Sequence, residues 1–436
     1  MRFFEGSQKG GTEMSWNAFV KITENMKRKM QSEEYKNSSR RQEQDFTRNR
    51  KIGLFETCMM ILKSSKKVMR STIESFLKET KAEYHDISKA AFCKARQKIK
   101  PEAFKEIAEF TAEEFYREYP AKTLNGFRIF AVDGSVLNLP NTEETLAEFG
   151  SQKNQWSQQV QIHLSMLYDV LNHTVLDTIA RKADDNERVM ASEHLEKYEK
   201  FKGEKAIVVF DRGYPSEKLI QEMDNRGVYY IIRTDKAGFW KQITNNKNKP
   251  DAIITRKCKN GKELTVRVIT IGVTESVQEI LLTNLFDSKL DVDFFNQAYH
   301  LRWKIESNFN LMKNQMQLEN FSGVLPICIL QDIYAQTILL NLAACLEAEC
   351  NHDVDEINAG GERKYPLAVN RSVCISELKD NVIELFWASP KRKERILRRI
   401  RSVMLKNLSE VHDNRHYPRD NPKHPSCKYH NNYRAI

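Results

Sequence analysis

The sequence predicts an α/β protein in which a mixed β-sheet is flanked by helices and follows a helical N-terminal domain. Before residue 120, apolar residues recur every three or four positions, which is typical of amphipathic helices. From residue 126, β-branched and aromatic runs alternate with helical segments, and residues 234–289 form a strand-rich insertion. The predicted organisation is a basic N-terminal arm (1–45), a helical domain (46–120), a core (121–233 and 290–350), a β-rich insertion (234–289) and a basic C-terminal region (351–436).

The helical domain is predicted from its first long amphipathic stretch, "LFETCMMILKSSKKVMRSTIESFLKE". In "DISKAAFCKARQKIKPEAF", Asp86 or Ser88 is the expected N-cap of the next helix, and Pro101 stands near the start of another. Four Lys and Arg side chains between residues 94 and 100 could follow a DNA backbone. An exposed, solvated helix face explains them equally well.

The core is predicted from the order of its strands and helices. "GFRIFAVDGSVLNLP" indicates a first strand ending in a turn at Asp133-Gly134, and "QVQIHLSMLYDVLNHTVLDTIA" indicates a hairpin around Asn172-His173. "DNERVMASEHLEKY" indicates a helix, "KAIVVFDRGYPSEKLIQEMDNRG" a buried strand, Asp211 and a helix, and "VYYIIRT" a further strand. This order is that of a ribonuclease H-like core, a mixed sheet with helices on both faces. The apolar segment "ICILQDIYAQTILLNLAACLEAEC" is expected to close the core as a long helix.

Composition restricts the class of partner and the compartment. Lys and Arg exceed Asp and Glu by 69 − 59 = +10, so a polyanion, and nucleic acid first, is the expected partner. No run of 18 apolar residues appears and the opening lacks the apolar centre of a signal peptide, which predicts a soluble cytoplasmic protein with no membrane partner. Met14 is an alternative initiator to Met1. The eight cysteines never form C-x-x-C, and a buried thiol is the ordinary explanation for most of them.

Two clusters carry much of the positive charge. Residues 27–51 contain nine Lys and Arg against four acids, and residues 391–401, "KRKERILRRIR", contain seven against one. Solvated helix faces are a comparable explanation for each. Two such clusters in a basic chain favour contact with a phosphate backbone, and in the second cluster the predicted contacts are Arg398, Arg399 and Arg401.

Three carboxylates are expected to meet at one edge of the core. Asp133 and Asp211 follow strands that the predicted order places side by side, although 211 − 133 = 78 residues separate them. Glu306 lies on a later helix. Oxygen ligands of this kind suit Mg²⁺ or Mn²⁺. An aspartate at the end of a strand is also a common turn residue, so the prediction depends on the three together.

Glu306 belongs to "YHLRWKIESNFNLMK", residues 299–313, which predicts one amphipathic helix. At 100° per residue, Tyr299, Arg302, Glu306 and Lys313 share one stripe of that helix. A solvated charged face is the common explanation of such a stripe. Neighbouring apolar residues indicate instead that it borders packed surface, where the cations would hold phosphate oxygens and the carboxylate a metal ion.

With these motifs the chain resembles the DDE-type insertion-sequence transposases of the Y-R-E-K group, bacterial enzymes with a ribonuclease H-like catalytic domain. The resemblance covers roughly residues 45–345 and is carried by "DGS", "DRGY" and Tyr-x2-Arg-x3-Glu-x6-Lys. It implies that Asp133, Asp211 and Glu306 are catalytic residues that bind two Mg²⁺ or Mn²⁺ ions. It also implies that Tyr299, Arg302 and Lys313 contact the phosphates of the transposon end.

The same resemblance implies cut-and-paste transposition. The protein would bind the terminal inverted repeats of its element as a homodimer through its helical domain, cleave the strands and transfer the 3′ ends to target DNA. It would associate with the nucleoid of a bacterial cytoplasm when bound to double-stranded DNA. Whether excision passes through a DNA hairpin stays open, since Trp240 lies near the start of the insertion. The alternatives are a metal-dependent nuclease of the same fold and a non-catalytic DNA-binding protein derived from a transposase.

Overall fold

The computed structural model of the chain describes residues 16–48, 50–64, 69–80, 87–153, 158–198, 205–234, 250–258, 260–272, 278–361 and 363–412. Helices precede and follow a single large mixed sheet within these residues. The predicted class, a mixed sheet flanked by helices, is therefore confirmed.

Six helices precede the sheet, and the first, fourth and sixth of them bury one apolar face, as their three- to four-residue periodicity predicts. Ser88 caps the fifth helix by accepting a hydrogen bond from the Ala91 N–H, whereas Asp86, the other predicted cap, lies outside the described residues. Pro101 precedes the sixth helix, as expected. The helices are α1 (Asn17–Met30), α2 (Glu33–Ser39), α3 (Leu54–Lys63), α4 (Met69–Glu79), α5 (Lys89–Arg96) and α6 (Glu102–Glu118).

The described part of the predicted N-terminal arm is helical and packed. Phe19, Ile22 and Met26 recur at helical spacing on α1 and are completely buried. Burial of three large side chains on one face stabilises the helix against the rest of the protein, so the basic side chains of this segment lie on a folded surface and not on an extended arm.

The sheet confirms the predicted strand order. β1 pairs in parallel with β5 and β5 in parallel with β6, while β3 pairs antiparallel with both β1 and β4. The core order is β4-β3-β1-β5-β6, so the first strand lies next to the strand that precedes Asp211, as predicted. The strands are β1 (Arg128–Asn138), β2 (Ser151–Lys153), β3 (Gln158–Asp169), β4 (Thr174–Lys182), β5 (Ala206–Phe210), β6 (Tyr229–Thr234), β7 (Asp251–Lys257), β8 (Glu263–Gly272) and β9 (Gln278–Thr283).

The β-rich insertion extends this same sheet. β9 pairs antiparallel with β6, with Thr234 opposite Ile280, and β8 and β7 follow outward. The backbone groups at that edge of the core are thus hydrogen-bonded by the insertion. Trp240, which bears on the hairpin question, lies outside the described residues.

The first half of β1, residues 128–132, buries both of its faces. Ile129 and Ala131 belong to one apolar cluster, and Phe130 and Val132 to a second. Alternate side chains of a strand point to opposite faces, so the two clusters are the cores on the two sides of the sheet. The helices packed around it are α7 (Glu143–Phe149), α8 (Glu187–Tyr198), α9 (Glu217–Arg226), α10 (Val292–His300), α11 (Trp303–Asn310), α12 (Pro326–Ala359), α13 (Arg371–Trp387) and α14 (Pro390–Lys406).

α12 is the long apolar helix predicted to close the core. It is long and apolar enough to cross a membrane by length and composition, but 89% of its most apolar window is buried inside the protein. Its polar side chains bind backbone in other elements: Asn341 donates to the Ala108 and Val175 carbonyl oxygens and accepts from the Val175 N–H. A core helix with such contacts connects α6 to β4.

Candidate active site

Asp133 lies inside β1, so the predicted turn at Asp133-Gly134 is wrong. β3 continues alongside β1 as far as Asn138, with Asp133 opposite Met166, and these pairings keep the backbone extended. The parallel pairing with β5 ends earlier, at Ala131. Asp133 therefore lies where β1 has lost one of its two neighbours, and a cleft can open beside it.

Asp211 follows β5 directly, as predicted. Its Oδ1 accepts a hydrogen bond from the Gly213 N–H at 2.7 Å, which holds the carboxylate against its own turn. Asp133 Oδ1 accepts in the same way from the Gly134 N–H at 2.9 Å. Both aspartates are thus oriented by backbone donors beyond the point where β1 and β5 separate.

Glu306 joins this site through a buried arginine. Arg302 Nη2 lies 2.7 Å from Glu306 Oε1, and Arg302 Nη1 lies 3.4 Å from Asp133 Oδ2. Arg302 is only 3% exposed, so its charge acts in a poorly hydrated environment. The guanidinium therefore ties α11 to β1 by pairing with one carboxylate from each.

The pKa of Asp133 responds to the charges of the other two carboxylates. Burial raises the pKa of Asp133 to about 7, while the Gly134 N–H and Arg302 lower it and the charges of Asp211 and Glu306 raise it further. Like charges compete in this way only when they lie near one another. A divalent cation would relieve both the burial and the repulsion.

The predicted single helix over residues 299–313 is interrupted. Tyr299 lies in the last turn of α10, which ends at His300. The next helix, α11, begins at Trp303, and Lys313 lies in a π-helical turn, Leu311–Gln315. The Arg302 N–H bonds to the Tyr299 carbonyl three residues earlier, and the Met316 N–H bonds to the Leu311 carbonyl five residues earlier. The prediction of one shared stripe assumed a rotation of 100° per residue, and these tighter and wider turns change that rotation.

The three predicted phosphate contacts on this segment are either buried or bonded to other parts of the protein. Tyr299 is 1% exposed, and its hydroxyl lies beside Arg233 and Glu279 of β6 and β9. Arg302 is covered and paired as described above. Lys313 Nζ donates to the Val136 carbonyl at 2.6 Å and so fastens the π-helical turn to β1. Contact of these residues with DNA stays a prediction.

The three arginines predicted on α14 all face acids of the same protein. Arg398 pairs with Glu394 at 2.7 Å, Arg399 with Glu377 at 3.3 Å, and Arg401 Nε with an oxygen of Asp353 at 2.7 Å. The local positive charge is consequently smaller than the count of basic residues indicates.

Asp353 also belongs to a surface group with His352 and Glu356. Within the described residues it is the one group of three His, Cys, Asp or Glu whose ligand atoms all lie within 4.8 Å of one another. The group is mostly exposed, and Arg401 already pairs with Asp353. It is therefore an ion-paired surface cluster, while in the candidate site Arg302 lies between the carboxylates of Asp133 and Glu306.

Sequence reasoning missed three residues beside the aspartates. His163 on β3 lies 3.0 Å through Nε2 from Oε1 of Glu187, the first residue of α8. The hydrogen bond from His163 lowers the pKa of Glu187 against the effect of burial. Tyr214, the last residue of "DRGY", is completely buried with its hydroxyl near Glu187, Asp133 and Asp211. Glu187 could not be singled out from the sequence, because an acid in the first turn of a helix is common. Only Tyr214, through its place in the "DRGY" motif, could have been connected with the site.

A Ser-His-Asp arrangement also lies behind Asp133. Ser165 Oγ lies 3.0 Å from His194 Nε2, and His194 Nδ1 lies 2.7 Å from Asp177 Oδ2. Burial opposes the charge of Asp177, but His194 and Lys105 together hold its pKa well below the usual range. All of the first three residues are buried, so this chain of hydrogen bonds supports β1, β3 and β4 from inside and offers no accessible nucleophile.

The sheet and its carboxylates define a protein of the DDE transposase class. Residues 125–342 match the family described as the transposase DDE domain, which is half of the chain, and the protein belongs to this family. It is similar to transposase InsG of insertion sequence element IS4 from Escherichia coli (strain K12), with 22% identity over 272 residues, 59% of this chain and 60% of the relative. The chain thus spans under two thirds of that relative. The predicted family is confirmed.

A solved structure with a looser likeness is the piggyBac transposase in a synaptic complex with hairpin DNA. The TM-score is 0.45 with 11% identity, and the likeness covers 91% of this chain and 88% of that one.

Proposed function

We propose that the protein is a DNA transposase that excises and inserts its own insertion sequence. The observation that carries the proposal is geometric: Asp133 on β1 and Asp211 after β5 belong to neighbouring parallel strands, and Arg302 pairs with both Asp133 and Glu306 of α11. Such a group of carboxylates serves phosphoryl transfer by binding divalent cations. The family and the similarity to the IS4 transposase support DNA as the substrate.

The donor set fits a divalent cation. The carboxylates are hard oxygen ligands, and the buried Tyr214 hydroxyl beside them has no hydrogen-bond partner in the described part of the chain, so it is free to contact metal-bound water. When bound, Mg²⁺ or Mn²⁺ activates a water or 3′-hydroxyl and stabilises the leaving oxygen. Asp133, Asp211 and Glu306 would hold it, with two ions as the proposed number.

The residues around the carboxylates position them. Arg302 pairs with Asp133 and Glu306 and so limits their mutual repulsion before a cation binds. Lys313 fixes the segment after α11 to β1 through the Val136 carbonyl. Loss of either contact would loosen Glu306 relative to Asp133.

DNA would be held by the helical part of the protein. We place the terminal inverted repeats against the helical domain (46–120) and the α14 surface, and the scissile phosphate at the carboxylates. Arg398 and Arg399 are more than half exposed on α14 and can exchange their acid partners for phosphates. A homodimer that brings two ends together remains part of the proposal.

A nuclease that cuts without joining is the second candidate, because the same carboxylates would serve cleavage alone. An end-cleavage and strand-transfer assay on terminal-repeat DNA separates the two. The 3′ end of the cut strand should be joined to target DNA by the wild type, and cleavage products alone would favour the nuclease.

Matched substitutions test the site in the same assay. Asp133→Asn, Asp211→Asn and Glu306→Gln should each lower cleavage by at least a thousandfold while DNA binding persists, because only metal ligands are lost. Asp291→Asn is the control: Asp291 caps α10 at the Phe294 N–H, and asparagine caps a helix equally well. Near-wild-type cleavage by Asp133→Asn would overturn the assignment.

A further inference from the structure

Glu187 lies between the two aspartates, at the start of α8 where the chain leaves β4. We propose that Glu187 is a fourth carboxylate ligand of the divalent cation bound by Asp133 and Asp211. This inference rests on the proposed function, because it concerns the same cation site. It adds a ligand from an element that carries none of the three motif residues.

The space beside two glycines shows how closely Glu187 approaches the aspartates. A Cβ built on Gly134, the residue after Asp133, would lie 3.1 Å from Glu187 Oε1 and 2.6 Å from His163 Nε2. A Cβ built on Gly213 would lie 3.8 Å from Glu187 Oε2 and 3.0 Å from Asp211 Oδ1. One carboxylate oxygen of Glu187 thus faces the Asp133 strand and the other faces the Asp211 turn.

Tyr214 points independently to a ligand in this space. Its side chain is completely buried, and its hydroxyl lies near Glu187, Asp133, Asp211 and Arg302. In the described ranges no group forms a hydrogen bond with that hydroxyl. A buried hydroxyl without a partner costs free energy, and a hydrated cation held by the surrounding carboxylates would supply the missing water.

The charges at this point also favour a cation. Arg302 pairs with Asp133 and Glu306, and His163 reaches only Oε1 of Glu187. Arg188 directs its guanidinium to the Gly213 carbonyl at 3.0 and 3.1 Å. Four carboxylates therefore face fewer fixed positive charges, and divalent ions would restore the balance.

The competing explanation is that Glu187 only fastens α8 to β3 through His163. The two explanations differ in how metal affinity responds to each partner. If Glu187 is a ligand, Glu187→Gln weakens cation binding and His163→Gln does not. If the pair is structural, both substitutions disturb the same contact and act alike.

Titration of the metal-free full-length protein with Mn²⁺, followed by the electron paramagnetic resonance signal of free Mn²⁺, tests this. Glu187→Gln should weaken Mn²⁺ binding roughly tenfold. His163→Gln and Glu193→Gln should stay within about twofold of wild type. Glu193 is the matched control because it lies on the same helix and pairs with Arg181 at 2.7 Å. The Mn²⁺ concentration needed for half-maximal cleavage should rise in parallel.

The outcomes separate the two proposals. Wild-type Mn²⁺ affinity in Glu187→Gln, with affinity lost in Asp133→Asn, would overturn the inference and leave the proposed function standing. Equal losses in Glu187→Gln and His163→Gln would overturn it in favour of the structural pair. A wild type that neither binds Mn²⁺ nor cleaves would overturn both. Should Glu187→Gln fail to fold, as judged by circular dichroism, Glu187→Asp takes its place, with the same loss expected from its shorter reach.

Discussion

Arg302 and Glu306 form an ion pair at 2.7 Å across one turn at the start of α11, with the arginine buried and the glutamate partly open. The same guanidinium reaches Asp133 on β1. An arginine can bridge two carboxylates with its planar fork, whereas a lysine presents a single ammonium group.

Arg302→Lys should therefore damage the site although it keeps the charge. We expect the metal-free protein to lose about 1–3 kcal/mol of unfolding free energy, because one buried carboxylate contact is lost. Cleavage should fall as Glu306 is less firmly held. Denaturant unfolding without metal and a cleavage assay measure the two effects, and a substitution within about 0.5 kcal/mol of wild type would mean that the bridge does not stabilise the site.

The raised pKa of Asp133 predicts a pH dependence. Between the usual aspartate pKa of about 4 and the folded value of about 7, the folded protein binds a proton that the unfolded chain does not. The contribution of this carboxyl to stability therefore falls as pH rises through that window, by at most about 4 kcal/mol. When unfolding of the metal-free protein is followed between roughly pH 4.5 and 7.5, Asp133→Asn should lack this part of the slope of stability against pH. Parallel curves for the two proteins would contradict the prediction.

Lys313→Met separates positioning from DNA contact. Loss of the hydrogen bond to the Val136 carbonyl should cost about 1 kcal/mol of stability and lower cleavage, with little change in affinity for DNA. Lys289→Met is the control, since Lys289 is exposed. A fall in DNA affinity with unchanged stability would favour the phosphate contact that the motif resemblance implies.

The α14 arginines should differ in their effect on the salt dependence of DNA binding. Arg398 and Arg399 have side-chain exposures of 62% and 54%, whereas Arg401 is 28% exposed and paired with Asp353. Neutralising Arg398 and Arg399 to Gln should flatten the log–log slope by about 1–2, at roughly 0.9 per phosphate contact. Arg401→Gln should change the slope little and lower stability instead. An unchanged slope in the double variant would place the DNA elsewhere.

The order of strands along the chain was predictable, because turn residues delimit each β-branched run and segments with helical periodicity follow the hairpin and the later strand. The placement of Asp211 after β5 needed only that pattern. Asp133 was harder, since a glycine after an aspartate is typical of a turn, and only the pairing with β3 keeps this one extended. Hydrogen bonds from distant strands override a local turn signal.

Contacts between distant segments were not predictable. The interruption near Arg302 depends on hydrogen bonds three residues apart, which leave no mark on apolar periodicity. Arg401 and Asp353 are separated by 48 residues, so their pairing depends on how α12 and α14 pack. Glu187 resembles any acid in the first turn of a helix until Gly134 and Gly213 are seen beside it.

The hydrogen bonds of Asn341 have a consequence for how this chain can be divided. One amide on α12 binds the backbone of α6 and of β4 at the same time, and apolar contacts also cross the predicted boundary at residue 120. A recombinant fragment ending at that boundary would leave the α12 face of α6 without its cover and expose it to solvent. One could exchange the N-terminal helices between related transposases so that the protein acts on different terminal repeats. Such an exchange would therefore have to include the matching surface of α12.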